Sequence, residues 1–221
     1  MAALDAAAPV QCLHADDDVL VLCKPAGLLC VPGRGADKQD CLSRRAQRHY
    51  PDALVVHRLD QATSGLVLMA RHPAAQRSLS HAFAARAMAK RYLAIVHGHP
   101  RGNADAEGWS TIAAPVMADW PRRPLQKVDF VQGKPSQTRW RTLRHDAASH
   151  GTRLELEPLT GRTHQLRLHL AHIGHPILGD ALYAPQAVAA ASPRLLLHAW
   201  KLGFAHPATG QWMQYSAPPP F

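Results

Sequence analysis

Short runs of apolar residues, each bounded by residues that favour turns, mark the first half of the chain. Val19–Cys23 ends at the sequence Lys-Pro-Ala-Gly, Leu66–Ala70 follows Thr-Ser-Gly, and Tyr92–Val96 ends at His-Gly. Continuous apolar runs of this length are typical of buried strands. The pattern therefore predicts three buried strands in this half of the chain.

Three other segments have features of helices. Residues 38–49 predict a polar-faced helix, and Pro73 suits the first turn of an Ala-rich helix that we expect to run to about Ala89. After residues 160–163, a helical spacing places apolar residues on one face, and Gly174 is expected to end the helix. These apolar residues are Leu166, Leu170 and Ile173.

The second half of the chain predicts further strands around one irregular region. Residues 109–134 are rich in Pro, Gly and charge, which predicts turns with an exposed loop. Residues 138–143 and 152–156 alternate polar and apolar positions and predict paired strands. Residues 195–197 and 201–206 predict two late strands.

The order of these elements indicates the domain organisation and the fold class. Residues 1–17 predict an irregular N-terminal lead, and residues 18–221 contain no internal repeat and no composition break. We therefore expect one domain over 18–221. Its mixture of strands and helices predicts an α+β (mixed α/β) fold, with a central mixed, largely antiparallel β-sheet flanked by helices and loops.

The charge balance favours a polyanionic partner. The formal net charge is +9, and 19 of the 25 basic residues are arginine. A planar guanidinium binds phosphate through two hydrogen bonds and stacks on bases, which favours nucleic acid over a membrane. Many soluble enzymes are also basic, so charge alone leaves both interpretations open.

Cysteine usage and the start of the chain bear on location. The four cysteines form no Cys-x-x-Cys pair and predict reduced thiols; they are Cys12, Cys23, Cys30 and Cys41. The first residues lack a basic segment followed by an apolar core, and no apolar run approaches the ~18 residues of a membrane span. We predict a soluble cytoplasmic protein without membrane contact.

Regularly spaced histidines raise the question of a metal site. His169, His172 and His175 lie three residues apart. No acid or cysteine completes a ligand set at a fitting spacing, and neither a Gly-rich phosphate loop nor a nicotinamide motif is present. We therefore expect no metal and no cofactor.

The most distinctive motif runs from Val56 to Gly65. It places Asp60 two residues after Arg58, in a Thr-Ser-Gly turn that leads into the apolar run at Leu66. In isolation, Arg58 and Asp60 are typical of a surface ion pair in a loop. The hypothesis that Asp60 is a reaction centre therefore depends on the motifs that accompany it.

Three separated segments resemble the RluA family of pseudouridine synthases. His57–Gly65 is similar to the family's catalytic motif, Lys90–Tyr92 to its tyrosine motif, and Gly161–Arg167 to its arginine motif. The likeness continues, in the same order, through Lys24–Leu28, Gly174–Asp180 and Arg194–Ala199. The resemblance implies that residues 18–221 form the synthase catalytic domain, without the S4-type RNA-binding domain that many members carry.

Three less general segments are similar to a subgroup that acts on both tRNA and 23S rRNA. They are Cys30–Arg34, Asp119–Pro124 and Gly133–Thr138. The resemblance implies isomerisation of anticodon-loop uridine 32 of tRNA and of uridine 746 of 23S rRNA, although related synthases modify other uridines. It further implies RNA as the partner, no obligate protein partner, no cofactor and a monomeric enzyme.

The reaction explains why one carboxylate is enough. Cleavage of the bond between ribose and the base nitrogen builds positive charge on the sugar, which a carboxylate stabilises or attacks, as in glycosidases. Uracil leaves as a delocalised anion, so a second catalytic acid is not required. The resemblance assigns this role to Asp60 and leaves open whether Asp60 forms a covalent sugar adduct or removes a sugar proton.

By the same resemblance, Arg167 pairs with Asp60. A guanidinium beside the carboxylate opposes the rise in pKa that desolvation causes in a closed pocket. The predicted helix places His164 and Arg167 three residues apart on one face. Taken alone, Arg167 is typical of a solvated helix charge.

Three further substrate-binding residues follow from the resemblance. Tyr92 would stack on uracil and relay a proton. Arg58 would enter the space that the extruded nucleotide leaves, contact a phosphate, or do both. Leu197 would pack behind the base. From the sequence alone, Tyr92 and Leu197 are also typical of core residues.

A mixture of basic and aromatic residues lies in the predicted loop. Arg122, Arg123 and Lys127 flank Trp120, a composition suited to phosphates and an unstacked base. A Trp in a Pro-rich loop is as often a structural plug, so the RNA-binding role of Trp120 stays open.

Two other functions compete with uridine isomerisation. A catalytically silent RNA-binding protein of the same fold would not need Asp60, Tyr92 and Arg167 together, yet all three are present. A hydrolase acting on another glycoside would need a second carboxylate, and none is evident. Both alternatives are less consistent with the motifs.

Overall fold

The computed structural model describes residues 10–146 and 151–221, which form twelve strands and four α-helices. The strands are β1 (Gln11–Ala15), β2 (Val19–Lys24), β3 (Leu54–Val55), β4 (Ser64–Ala70), β5 (Ala89–His97), β6 (Ser110–Ala113), β7 (Val116–Ala118), β8 (Gln126–Val128), β9 (Gln137–Asp146), β10 (Gly151–Pro158), β11 (Leu197–Ala205) and β12 (Trp212–Ser216). The α-helices are α1 (Leu42–Gln47), α2 (Pro73–Ala84), α3 (Gln165–His172) and α4 (Gln186–Ala190). Antiparallel ladders pair β1 with β2, β2 and β3 with β4, β5 and β9 with β10, β6 with β9, and β7 with β8, while Leu29 and Cys41 form a parallel bridge. The predicted α+β class with a mixed, largely antiparallel arrangement is confirmed.

The chain divides into two compact units. The first comprises Met1–Met88 and Gly203–Ala217, and the second comprises Ala89–Leu202 and Pro218–Phe221. The sequence predicts a single domain because β5 begins directly at the first boundary, without a linker-like composition. A Pro-, Gly- or Ser-rich stretch, the usual signal of a boundary, does not occur there.

In the first unit, β2 lies between β1 and β4. Val19 is opposite Ala70 and Lys24 is opposite Gly65 in the register of β2 and β4. Both strands are almost wholly buried, which explains their continuous apolar runs. The strands predicted at residues 19–23 and 66–70 are thus confirmed.

A strand forms within the predicted irregular lead. β1 pairs with β2 through a tight turn in which the Asp16 carboxylate accepts the backbone N–H groups of Asp18 and Val19, each at 2.8 Å. An Asp that closes a turn in this way allows the two flanking segments to pair. Residues 1–9 of the lead lie outside the described residues.

The two helices of this unit are shorter than predicted. α1 covers only Leu42–Gln47, because Cys41 before it is extended. α2 begins at Pro73 as expected but ends at Ala84, since Arg86 adopts a left-handed φ of 60° and β5 starts soon after. A residue with positive φ cannot continue a right-handed helix.

In the second unit the strand order is β11-β5-β10-β9-β6. Leu156 of β10 lies opposite Trp140 on one side and Tyr92 on the other. The pairing predicted for residues 138–143 and 152–156 is therefore confirmed. The two late strands predicted from residues 195–206 are instead one strand, β11, whose lysine is half-buried and does not interrupt it.

The predicted loop of residues 109–134 contains regular structure. β6 pairs with β9, and β7 pairs with β8 as a two-stranded sheet. The prediction of an irregular loop is wrong here because strands of three or four residues, flanked by Pro115 and Pro124, are too short to show a period.

The helix α3 is buried around its whole circumference. Residues 165–170 are all buried, including Gln165, Arg167 and His169. The expected face shared by His164 and Arg167 is wrong, because His164 precedes the helix with a left-handed φ of 54°. Buried polar side chains need hydrogen-bonding partners, and those of α3 have them.

Candidate active site

Asp60 lies in a tight turn of the first unit, immediately before β4. Its carbonyl accepts the backbone N–H of Thr63 at 3.1 Å, and Gly65 has a φ of 112°. Asp60 is half-buried and Arg58 is exposed. The turn therefore holds one carboxylate at the border between the interior and solvent.

Lys24, at the end of β2, ties this turn to the segment before it. Its side chain is fully buried, and its ammonium donates to the carbonyls of Pro25 (2.9 Å), Leu28 (2.7 Å) and Gln61 (3.0 Å). The backbone N–H of Gly27 also donates to the Gln61 carbonyl at 2.8 Å. A buried ammonium is tolerated only when carbonyls or acids replace its water. The residue after Asp60 is thereby fixed.

Sequence reasoning did not assign this role to Lys24. The available signal was a lysine that directly follows a wholly apolar run, where a core strand usually ends in a neutral turn residue. Carbonyl groups supplied by turns leave no trace in side-chain composition, so the partners of the ammonium required the structure.

The residues before Asp60 are fixed by two other side chains. The Sγ atom of Cys30 accepts the backbone N–H of Leu59 at 3.2 Å. Nε2 of His57 accepts the backbone N–H of Leu68 at 2.9 Å, and its ring stacks on Phe83 at 4.3 Å between centroids. Burial raises the pKa of the Cys30 thiol, which keeps it protonated at neutral pH.

Replacing Cys30 tests this anchoring. Cys30→Ala leaves the Leu59 N–H without an acceptor in a buried position, which costs about 1–3 kcal/mol. We expect a lower Tm and faster hydrogen exchange of the Leu59 amide. Cys30→Ser supplies an oxygen acceptor and should retain most of both properties. Equal exchange rates in the alanine variant and the unmodified protein would contradict the anchoring.

The second unit carries the other predicted substrate-binding residues. Tyr92 is half-buried on β5, and Leu197 is buried at the start of β11. The burial of Leu197 fits a packing role.

Arg167 is buried on α3 and forms a two-point ion pair with Asp180. Its Nε and Nη2 donate to the two carboxylate oxygens at 2.8 and 2.6 Å, and the two side chains are 4% and 0% exposed. Asp180 also accepts the backbone N–H groups of Leu182 and Tyr183 at 2.9 and 3.2 Å. The interpretation of Arg167 as a solvated helix charge is therefore wrong. Its pairing with Asp60 stays a prediction.

Asp180 is a functional candidate that sequence reasoning missed. It belongs to the segment Gly174–Asp180 on which part of the family resemblance rests, but thirteen positions separate it from Arg167. The Tyr183 ring lies 5.3 Å from the Arg167 guanidinium, and its hydroxyl is 2.7 Å from Nδ1 of His164. Together these residues fix the guanidinium in one orientation.

Gly179 positions Asp180 by allowing a close backbone approach. It has a φ of 77°, and a Cβ atom there would lie 1.9 Å from the carbonyl oxygen of Arg194. We expect Gly179→Ala to lower the free energy of unfolding by roughly 2–4 kcal/mol, because strain and overlap add. Gly161→Ala is the matched control, since nothing lies within 4 Å of a Cβ at that glycine. Thermal denaturation of both variants provides the measurement, and equal Tm values would contradict this account.

The predicted RNA-binding residues lie in and beside the 3₁₀ turn Trp120–Arg122. Trp120 is 63% exposed, so it is not a structural plug, and the guanidinium of Arg123 lies 3.4 Å from its ring centroid. Arg122 is paired with the buried Asp119, and Lys127 is paired with Asp129 at 3.0 Å. Thus two of the three predicted phosphate ligands already have acidic partners.

The histidines spaced by three residues do not form a metal site. His169 uses both ring nitrogens, at 2.9 Å each, on Thr138 and the Ala114 carbonyl. Nδ1 of His175 donates to the His97 carbonyl at 2.8 Å, and His172 is exposed. Both ring nitrogens of His169 and one of His175 are thus engaged by protein atoms.

Another cluster of possible ligands lies in the first unit. Within residues 10–146 and 151–221, ligand atoms of Asp16, Asp18 and His206 lie within 4.8 Å of one another. Nδ1 of His206 accepts the backbone N–H groups of Ala208 and Thr209 at 3.3 Å, so the ring proton is on Nε2. Nε2 faces the carboxylates of Asp16 and Asp18 as a hydrogen-bond donor, so these three side chains form a hydrogen-bonded cluster.

The four cysteines are free thiols, as predicted. None of the helices in the described segments has the length and apolar character needed to cross a membrane.

Comparisons with known proteins identify the class. A family profile described as RNA pseudouridylate synthase matches residues 18–172. The structure of human RNA pseudouridylate synthase domain containing 1 is similar with a TM-score of 0.77 and 29% identity, over 96% of this chain and 84% of that one. Human RNA pseudouridylate synthase domain containing 4 shares the fold, with a TM-score of 0.71, 22% identity, and coverage of 95% and 88%. The chain belongs to the RNA pseudouridylate synthase family, whose members are isomerases that convert uridine to pseudouridine.

Within that family the chain is a synthase of the RluA type. It is 47% identical, over 95% of its length and 93% of the relative's, to a protein of Escherichia coli K12 named dual-specificity RNA pseudouridine synthase RluA. The RluA of Pasteurella multocida is 44% identical over the same shares of both chains. The resemblance seen in the sequence motifs is confirmed.

Proposed function

We propose that this enzyme isomerises specific uridines in both tRNA and 23S rRNA, with Asp60 as the catalytic carboxylate. The observation that carries the proposal is the turn at Asp60, which Lys24 and Cys30 hold in place. The chain also matches relatives named dual-specificity synthases over 95% of its length. The proposed targets are anticodon-loop uridine 32 of tRNA and uridine 746 of 23S rRNA. The enzyme acts in the cytoplasm as a monomer, with no cofactor and no obligate protein partner.

The chemistry requires one bond to break and another to form on the same ribose. The C1′–N1 bond breaks, and the positive charge that develops on the sugar is stabilised or attacked by the Asp60 carboxylate. The detached uracil then turns, C5 bonds to C1′, and the C5 proton is lost while N1 gains one. No atoms or electrons enter or leave overall, so the reaction needs no redox or metal chemistry.

Four residues support this step. Arg167, oriented by Asp180, is proposed to pair with the Asp60 carboxylate. Tyr92 stacks on uracil and relays the proton that leaves C5, and Leu197 packs behind the base. Arg58, which is exposed, takes the position that the extruded nucleotide leaves in the RNA stack.

RNA contacts outside the pocket come from the segment around Trp120. The exposed indole with the Arg123 guanidinium above it offers a stacking surface for an unstacked base. Arg122 and Lys127 can contact phosphates when these compete with Asp119 and Asp129 for the cations.

The decisive experiment incubates the enzyme with tRNA and 23S rRNA transcripts and maps pseudouridine chemically. We expect modification at one position in each RNA. If the RNA contains no pseudouridine, the proposal is contradicted and a catalytically inactive RNA-binding protein is favoured. Free uracil in the supernatant would favour a hydrolase. Modification at other positions would retain the isomerase and replace the proposed targets.

A further inference from the structure

The two-stranded β7–β8 sheet exposes large apolar side chains that the proposed function leaves without a role. Phe130 and Val131, in the turn after β8, are 73% and 92% exposed. They are the most exposed large apolar side chains of the described residues, and their adjacency makes the turn a candidate contact surface.

Hydrogen bonds of Asp129 hold this turn in one conformation. We call residues 129–133 the Phe130 turn. The Asp129 carboxylate accepts the backbone N–H groups of Val131 (3.0 Å) and Gln132 (2.9 Å), and the Asp129 carbonyl accepts that of Gly133 (2.9 Å). The Asp129 N–H donates to the Pro115 carbonyl at 3.1 Å. Phe130 therefore points into solvent from a fixed turn.

Close packing at Gly133 reinforces the turn. A Cβ atom at this position would lie 2.3 Å from the Asp129 carbonyl oxygen and 2.9 Å from Pro115. The backbone N–H of Gln132 and the Lys127 ammonium lower the pKa of Asp129 to about 2, so its carboxylate stays ionised and continues to accept these hydrogen bonds. A ligand that meets Phe130 has little ordering entropy to overcome.

The surroundings of the Phe130 turn are basic. The ring of His172, at the end of α3, lies 6.3 Å from the Phe130 ring, and Lys134 is exposed just after the turn. The only acid of the turn, Asp129, is neutralised by Lys127 at 3.0 Å. An exposed lysine just after the turn, no unpaired acid within it and the strongly basic chain favour a polyanion with exposed bases as the partner of Phe130.

We propose that the Phe130 turn is a second stacking platform, which binds an unpaired base of the RNA substrate. The proposal rests on the proposed function, because it presumes an RNA substrate whose loops are opened. Stacking on Phe130 is independent of base identity, so one platform serves tRNA and rRNA loops of different sequence. Val131 packs against the edge of the same base.

The test measures dissociation constants for a tRNA anticodon stem-loop and a 23S rRNA loop fragment, together with saturating and subsaturating modification rates. Phe130→Ala is expected to weaken binding of both RNAs about tenfold and to raise KM, with kcat unchanged. Phe130→Trp should bind both RNAs at least as tightly as the wild-type enzyme. Trp212→Ala, which removes an exposed aromatic side chain from β12 of the first unit, is the matched control and should change nothing.

The outcomes separate this inference from the proposed function. In one outcome the wild-type enzyme modifies RNA, and the Phe130→Ala variant has a dissociation constant for RNA within twofold of the wild-type value. The stacking platform is then overturned, and the exposed turn is instead a contact surface for a protein. If Phe130→Ala and Trp212→Ala weaken binding equally, stacking at this turn is also overturned. If the wild-type enzyme binds RNA through Phe130 but forms no pseudouridine, the proposed function is overturned and the platform is retained.

Discussion

Asp60→Asn is expected to reduce pseudouridine formation at least about a thousandfold in single-turnover assays. Asparagine has nearly the same size, and the hydrogen bond from the Thr63 N–H uses the backbone carbonyl, so the turn is retained. The neutral amide cannot stabilise positive charge on the sugar, nor can it act as a nucleophile or a base. Chemical mapping of pseudouridine in the tRNA and rRNA transcripts provides the measurement.

Two controls separate lost chemistry from lost structure. Asp17→Asn removes the charge of an exposed acid elsewhere in the first unit and should retain full activity. The Asp60→Asn variant should retain the Tm of the unmodified enzyme and bind RNA within about twofold, because anchors Lys24 and Cys30 remain. A residual rate within tenfold of the unmodified enzyme would show that another group carries the reaction.

The second large effect concerns the buried pair of Arg167 and Asp180. Asp180→Ala removes the two-point carboxylate partner of a buried guanidinium, which costs about 3–5 kcal/mol and corresponds to a fall in Tm of roughly 6–20 °C. Arg167→Ala similarly leaves a buried carboxylate, although Asp180 keeps the N–H donors of Leu182 and Tyr183. The Arg167→Ala variant should modify RNA about two orders of magnitude more slowly, while its affinity for RNA stays nearly intact.

A double variant separates the structural and catalytic roles of this pair. Replacing both partners by apolar residues, as in Arg167→Met with Asp180→Leu, removes both buried charges and should restore much of the Tm. Activity should stay lost, since the guanidinium proposed to pair with Asp60 is absent. Recovery of activity together with Tm would confine Arg167 to a structural role, and a comparable loss of RNA affinity would contradict its assignment to Asp60.

Local features of the sequence were reliable where neighbouring residues supply the physical cause. The runs at residues 19–23 and 66–70 became β2 and β4 because continuous burial requires continuous apolar side chains. Alternation at residues 138–143 and 152–156 likewise predicted the pairing of β9 with β10. Pro73 marked the start of α2, but Arg86, whose positive φ follows its end, has no distinctive sequence signal.

The sequence motifs located the candidate site residues, but they did not show which side chains these residues contact. The motif around Asp60 and the segment of Arg167 were recognised from their residues. Asp180, as the partner of Arg167, was missed because the pair joins two segments whose contact depends on how α3 packs. Arg122 and Lys127 were predicted as phosphate ligands, and their pairing with Asp119 and Asp129 was not predicted.

By itself, the sequence determined the family, the acidic motif and most of the strands, because these depend on residue type and local periodicity. Only the tertiary structure decided which groups face one another: a fully buried Lys24 on three carbonyls, a Cys30 sulfur on the Leu59 amide, and Arg167 on Asp180. These contacts exist because burial removes water and obliges each polar group to find a partner, which can lie anywhere along the chain.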